Sequence, residues 1–85
     1  MIQPNILVVD DDLSICQILC KILQREQYQV LEAHSVRTAR QLFDTNPVDA
    51  VLLDMMLPDG DGIELAKEML LSNPEIPIVL ISAHG

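Results

Sequence analysis

"DAVLLDMMLPDGDG", residues 49–62, is apolar from Ala50 to Leu57 except for Asp54, then breaks into Pro, Gly and Asp. An apolar run of this length, bounded by turn residues, reads as a third strand over 49–57 buried on both faces, as in a parallel sheet. Gly62 or Ile63 then opens a helix through Leu71, and "NPEIP", 73–77, ends it. Upstream, "NILVV" at 5–9 is a β-branched strand, and Asp12 is placed to cap a helix over about 13–26 in which Ile15, Ile18, Leu19, Ile22 and Leu23 recur at helical spacing. "YQVLEA" at 28–33 is a second strand. Ser35 caps a second helix with Val36, Ala39, Leu42 and Phe43 on one face, stopped by Asn46-Pro47. "IVLISA", 78–83, is a fourth strand. The order β-α-β-α-β-α-β with short connections asks for a parallel sheet with right-handed crossovers, hence an α/β fold. There is no internal repeat and no low-complexity segment.

The 85 residues make at most one domain, with a thin stability margin at this size. Hydrophobic residues make up 49% of the chain, but its aromatics are only Tyr28 and Phe43, so the core falls to Ile, Leu, Val and Met. A formal net charge of -8 argues against a nucleic-acid or anionic-membrane surface in this segment. No run approaches the roughly 18 apolar residues of a membrane span, and no signal peptide opens the chain, so it reads as cytoplasmic. Cys16 and Cys20 fall four apart on the first helix, a spacing that favours reduced packing thiols over a disulfide, and a metal site there is not expected.

The acids are unevenly spread. Asp10, Asp11 and Asp12 close the first strand, and Asp54 lies in the second half of the third. In an open α/β sheet the carboxyl ends of the strands face a common crevice where the strand order reverses. If those two strands are neighbours, the carboxylates meet. Two carboxylates about 4 Å apart repel by about 4 kcal/mol at an effective dielectric near 20, so the cluster calls for a proton or a cation. Hard oxygen donors favour Mg2+ or Ca2+, and Mg2+ leaves room for a phosphate oxygen. Asp54, costly to bury in an apolar strand, suits a carboxylate nucleophile towards phosphorus, giving an acyl phosphate. Ser82, at the end of the fourth strand, could offer its hydroxyl to the same pocket.

The motifs "ILVVDDD" (6–12), "DAVLLDMMLPDGDGIEL" (49–65) and "IPIVLISA" (76–83), in this order and separation, resemble the receiver domain of a two-component response regulator, of flavodoxin-like (CheY-like) fold. The resemblance runs over essentially the whole chain. It implies that Asp54 accepts a phosphoryl group from the phosphohistidine of a sensor histidine kinase, making the chain a regulatory phosphoacceptor and not an enzyme. It implies that Asp11 is a direct Mg2+ ligand, that Asp10 helps hold the metal and that Met56 contributes its backbone carbonyl. Ser82 matches the hydroxyl that turns towards the phosphoryl group in the conformational switch, and Pro58 and Gly62 match the turn after the acceptor strand. The family's fold continues with a fourth helix, a fifth strand bearing a phosphoryl-contacting Lys, and a fifth helix. Residues 1–85 therefore correspond to about two-thirds of a receiver, with an output domain outside them. An uncovered fourth strand leads us to expect a homodimer or a partner over residues 78–83. "ISAHG", 81–85, also resembles receivers attached to AAA+ activators of sigma-54 RNA polymerase, which implies a transcriptional output.

Other readings compete. A receiver-like interaction module without phosphoryl transfer fits the absent Lys, but not the intact acids. A Mg2+-dependent phosphatase of the haloacid dehalogenase type wants an Asp where Met56 stands. Asp59, Asp61, Gly62 and Glu68 fall at positions three, five, six and twelve of a calcium loop counted from Leu57, but its first position is not an acid. Asp59 and Asp61 otherwise read as solvated turn residues, and His34 and His84 as isolated.

Overall fold

The structure, a computed structural model, describes residues 2–81. Its elements are β1 (Asn5–Val9), α1 (Leu13–Arg25), β2 (Gln29–Ala33), α2 (Val36–Thr45), β3 (Ala50–Asp54), β4 (Met56–Leu57), β5 (Gly60–Asp61), α3 (Gly62–Ser72) and β6 (Ile78–Ile81). The main sheet is parallel, in the order β2-β1-β3-β6. From β1 the chain steps to one side for β2, then crosses to the other for β3. The strand order thus reverses between β1 and β3, the position at which open α/β sheets bind ligands.

Period-two alternation divides the core. Leu7, Val9, Val51 and Leu53 face α2 and α3, packing with Val36, Ala39, Leu65, Ala66 and Met69. Ile6, Val8, Ala50 and Leu52 face α1, where they meet Cys16, Leu19 and Leu23. The second face has one helix over it among the described residues, and there Ile18 and Ile22 on α1 and Val79 on β6 are half exposed.

The helices start where the sequence offers caps. Asp12 accepts from the Ser14 and Ile15 amides, and Ser35 accepts from the Thr38 amide. α1 closes on Gln27, a non-glycine residue in the left-handed region at φ 68°. One expectation needs correction. The third strand does not run to residue 57: Met55 makes the last sheet bond, to the Ile81 carbonyl, and the Asp54 carboxylate turns back to accept from the Met56 amide. The chain then forms an antiparallel hairpin pairing Met56 with Asp61 and Leu57 with Gly60, with Pro58 and Asp59 at its tip. The described part of the fourth strand is Ile78–Ile81, and residues 82–83 lie outside the described residues.

Candidate metal and phosphoryl site

Asp10 and Asp54 reach one place because their strands are adjacent and in phase. The β1–β3 register ends at Val9 opposite Leu53, and each aspartate follows by one residue. Continuing the alternation of Ile6 and Val8 on one strand, and of Ala50 and Leu52 on the other, both fall on the α1 side of the sheet. Carboxylate oxygens of Asp10, Asp11 and Asp54 all lie within 4.8 Å of one another. Asp10 and Asp54 are buried, whereas Asp11 is exposed at the rim. Together with Asp12, Met56, Leu57 and Pro58 they line a cavity of about 470 Å³.

The polar bonding within this mouth is incomplete. Asp10 Oδ1 accepts from the Asp12 amide at 2.9 Å, and Asp54 Oδ1 accepts from the Met56 amide at 3.2 Å. Asp10 Oδ2 is buried without a hydrogen-bond partner. Burial pushes the Asp10 carboxyl above its ordinary 3.8; the Asp12 amide opposes this, while the charges of Asp54 and Asp11 reinforce it. A buried carboxylate oxygen with no donor, facing two further carboxylates, is a set of hard donors fit for a small divalent cation. Asp10, Asp11 and Asp54 are the side chains that could hold one.

Of the residues singled out from the sequence, the structure brings together Asp10, Asp11, Asp54 and Met56, a residue 73% exposed. Ser82 and His84 lie outside the described residues. The calcium-loop spacing does not converge. Asp59 faces the start of α2, Asp61 caps α3 through the Ile63 amide at 2.8 Å, and Glu68 forms a two-pronged ion pair with Arg40 at 2.9 Å.

Asp59 and Asp61 are exposed at the hairpin, as turn residues should be, but both carboxylates are also engaged by backbone amides. Asp59 accepts from the Val36 and Arg37 amides at 2.7 and 3.0 Å, fixing the hairpin beyond the site to the second helix. Those two bonds hold its carboxyl below the usual carboxylate range. Sequence spacing carried no sign of this contact, since it joins segments 22 and 23 residues apart. Asp61 was legible as a cap, because an Asp directly before a helical run is the ordinary N-cap signature. Gly62 packs against the acceptor strand's end, and a Cβ there would stand 2.0 Å from the Asp54 carbonyl oxygen. Nor is His34 isolated: its ring nitrogen lies 2.7 Å from Glu32 Oε1. Cys16 is buried and its thiol donates to the Asp10 carbonyl at 3.2 Å; burial pushes that thiol up to about 12.

A parallel sheet with its acids gathered at the β1/β3 switch point is the arrangement of a receiver. The chain belongs to the response regulator receiver domains, whose family model matches residues 6–85. Receiver domains are regulatory phosphoacceptors that bind a divalent metal in the acidic pocket and interact with sensor kinases and output domains. Response regulator protein PilR of Pseudomonas aeruginosa is 35% identical over 85 residues, covering 100% of this chain. The chain spans 19% of that relative's length. Among solved structures, the non-phosphorylated HemR receiver domain of Leptospira biflexa superposes with a TM-score of 0.89 at 33% identity, over 96% of this chain and 66% of that one. A Burkholderia pseudomallei response regulator, solved with a phosphorylated aspartic acid, a calcium ion and citrate, shares the fold with a TM-score of 0.89 at 24% identity, over 98% of this chain and 49% of that one.

Proposed function

We propose that Asp54 is the phosphoacceptor of this chain and that Mg2+ is held beside it by Asp10, Asp11, Asp54 and the Met56 backbone carbonyl. The observation behind this reading is the partnerless Oδ2 of buried Asp10, aimed into a mouth it shares with the Asp54 carboxylate. A carboxylate oxygen of Asp54 attacks the phosphorus of a sensor kinase's phosphohistidine. The P–N bond breaks, its electron pair returns to the imidazole, and an acyl phosphate remains on Asp54. A divalent cation held by these residues would supply positive charge to the phosphoryl oxygens. Met56 N–H, already donated to Asp54 Oδ1, holds that carboxylate in place. Asp12 N–H fixes Asp10 through its other oxygen, leaving Oδ2 free for the cation. We assign Ser82 the hydroxyl that turns to the phosphoryl group, on its place in the sequence alone.

The proposal extends to the setting. Residues 1–85 act as receiver for an output domain outside them, of the transcriptional kind found on sigma-54 activators, and work in the cytoplasm. No helix among the described residues is long and apolar enough to cross a membrane. At a net charge of -8, nucleic-acid contact belongs to that other domain. The outer strand β6 has Val79 53% and Leu80 44% exposed, which supports a second copy or a partner over it.

The test is incubation with acetyl phosphate and Mg2+, followed by intact mass. A single acid-stable, base-labile phosphoryl group is expected, absent in Asp54→Asn and in the presence of EDTA. Failure of the wild-type chain to gain it would favour an interaction module, and a gain that persists in Asp54→Asn would move the acceptor elsewhere.

A further inference from the structure

On the same face of the sheet, one strand over from the acidic mouth, a second set of donors converges. Cys16 and Cys20 are one helical turn apart on α1, the i, i+4 spacing by which a helix presents two ligands to one ion. Glu32 lies near the end of β2 and His34 just beyond it; they are two residues apart and so share a side of the strand. Val30 of that series packs in the α1-side core with Cys16, which places Glu32 and His34 towards α1. Cys16 Sγ, a Glu32 carboxylate oxygen and a His34 ring nitrogen all lie within 4.8 Å of one another. Glu32 also reaches Cys20, its Oε2 standing 3.7 Å from Cys20 Sγ.

We propose that Cys16, Cys20, Glu32 and His34 form a second metal site, specific for a borderline-soft divalent cation such as Zn2+ and separate from the acidic mouth. Two thiols, an imidazole and one carboxylate select zinc-like ions and disfavour Mg2+ or Ca2+, which require a shell of oxygens. Tetrahedral coordination at zinc bond lengths sets donors about 3.3–3.8 Å apart, so Cys16, Glu32 and His34 close by about 1 Å, while Cys20, which lies against Glu32 but outside that trio, turns its thiol in to complete the shell. The adjustment falls on Glu32 and His34, whose side chains are 37% and 44% exposed, and on half-buried Cys20, while Cys16 stays fixed in the core. Binding replaces the Glu32–His34 contact and the weak Cys20–Glu32 contact with metal bonds. Each cysteine loses its thiol proton to solvent as its metal–sulfur bond forms. The set shares no side chain with Asp10, Asp11 and Asp54, but Cys16 gives up its hydrogen bond to the Asp10 carbonyl when it binds.

Co2+ titration of the reduced protein, with excess Mg2+ present to occupy the acidic mouth, tests the proposal. The expected result is a sulfur-to-cobalt charge-transfer band with intense tetrahedral visible bands, both bleached by one equivalent of Zn2+. His34→Ala alters an exposed side chain and leaves the core intact; it should weaken cobalt binding about tenfold or more, since loss of even an outer-shell partner costs 10–100-fold. Cys20→Ser should reduce the charge-transfer band, and Asp54→Asn should leave it unchanged. Absence of any sulfur band in the wild-type chain overturns the site. So does a band indifferent to both His34→Ala and Cys20→Ser, or one that disappears in Asp54→Asn.

Discussion

Two groups of aspartates at one end of the sheet are held in opposite ways. Asp10 and Asp54 are buried side by side, each with a single backbone donor, and one Asp10 oxygen has no partner. Asp12, Asp59 and Asp61 are exposed, and each carboxylate accepts from amides at the start of a helix. An acid at a helix N-terminus meets unpaired N–H groups and the positive end of the helix dipole, so its charge stabilises the fold. An acid buried against other acids opposes its own ionisation and weakens the empty fold. The capping group holds the loops still; the buried group keeps a charge imbalance that, in the function proposed, a cation would correct. Proximity between identical side chains is therefore not a sign of shared work, and the hydrogen bonds made by each carboxylate separate the two kinds.

The boundary between the groups is Gly62, the first residue of α3, whose amide donates to the Met55 carbonyl at 2.9 Å. None of the described glycines has a positive φ, so the requirement here is close approach, not conformation. In Gly62→Ala the new methyl would meet the Asp54 carbonyl carbon and Met55 Cα at 3.0 Å, besides the carbonyl oxygen at 2.0 Å. All three are backbone and cannot rotate away. We expect a loss of about 3 kcal/mol or more, a large share of the stability of a small domain, read as a lower urea midpoint. An unchanged midpoint would show that the hairpin shifts freely and that Asp61 and Asp54 are not rigidly joined.

The buried group and the Asp12 cap were legible in the sequence, for identifiable reasons. The apolar runs 5–9 and 50–54 and the caps Asp12 and Ser35 are local signals, and the strand alternation that places Asp10 beside Asp54 needs only that β1 and β3 be neighbours. The end of β3 was misplaced because Met55, Met56 and Leu57 prolong the apolar run, and hydropathy does not register a carboxylate turning back onto Met56 N–H. Asp59 was missed because its donors, Val36 and Arg37, begin another helix. The grouping of Cys16 with Glu32 and His34 is likewise a product of the α1–β2 packing. Contacts set by one element are open to pattern reading, whereas contacts between elements require the register and docking that only the fold supplies.

A substitution that removes the imbalance in the buried group should stabilise the metal-free chain. Because folding raises the Asp10 pKa, the folded chain binds more protons than the unfolded one above pH 3.8, and stability falls as pH rises from there through the folded value. Asp10→Asn abolishes that fall. Its Oδ1 can keep the Asp12 amide, and its Nδ2 gives the Asp54 carboxylate a donor. The mouth is open at Asp11, so solvent screening limits the gain to about 0.5–1 kcal/mol at neutral pH, fading below pH 3.8. Urea melts without metal would show it, and Mg2+ should raise the midpoint of the wild-type chain more than that of the variant. A variant less stable than wild type at neutral pH would place Asp10 among the stabilising acids.

The smallest effect carries the sharpest contrast, because its pH dependence has the opposite sign. Asp59 has its folded pKa depressed by the Val36 and Arg37 amides, so its stabilisation is present above its ordinary 3.8 and is lost as pH falls through the folded value. Asp59→Ala should therefore lower the midpoint at neutral pH by a constant amount, and the difference from wild type should close in acid. Ser35 still caps α2 through the Thr38 amide, which confines the damage to the first two amides and to the tie between hairpin and helix. Set against Asp10→Asn, where the variant is the more stable chain at neutral pH, both differences vanish in acid from opposite sides. If the Asp59→Ala deficit instead persisted to the lowest pH at which the chain folds, the contact would act through packing, and the electrostatic distinction between the two groups of aspartates would fail at this residue.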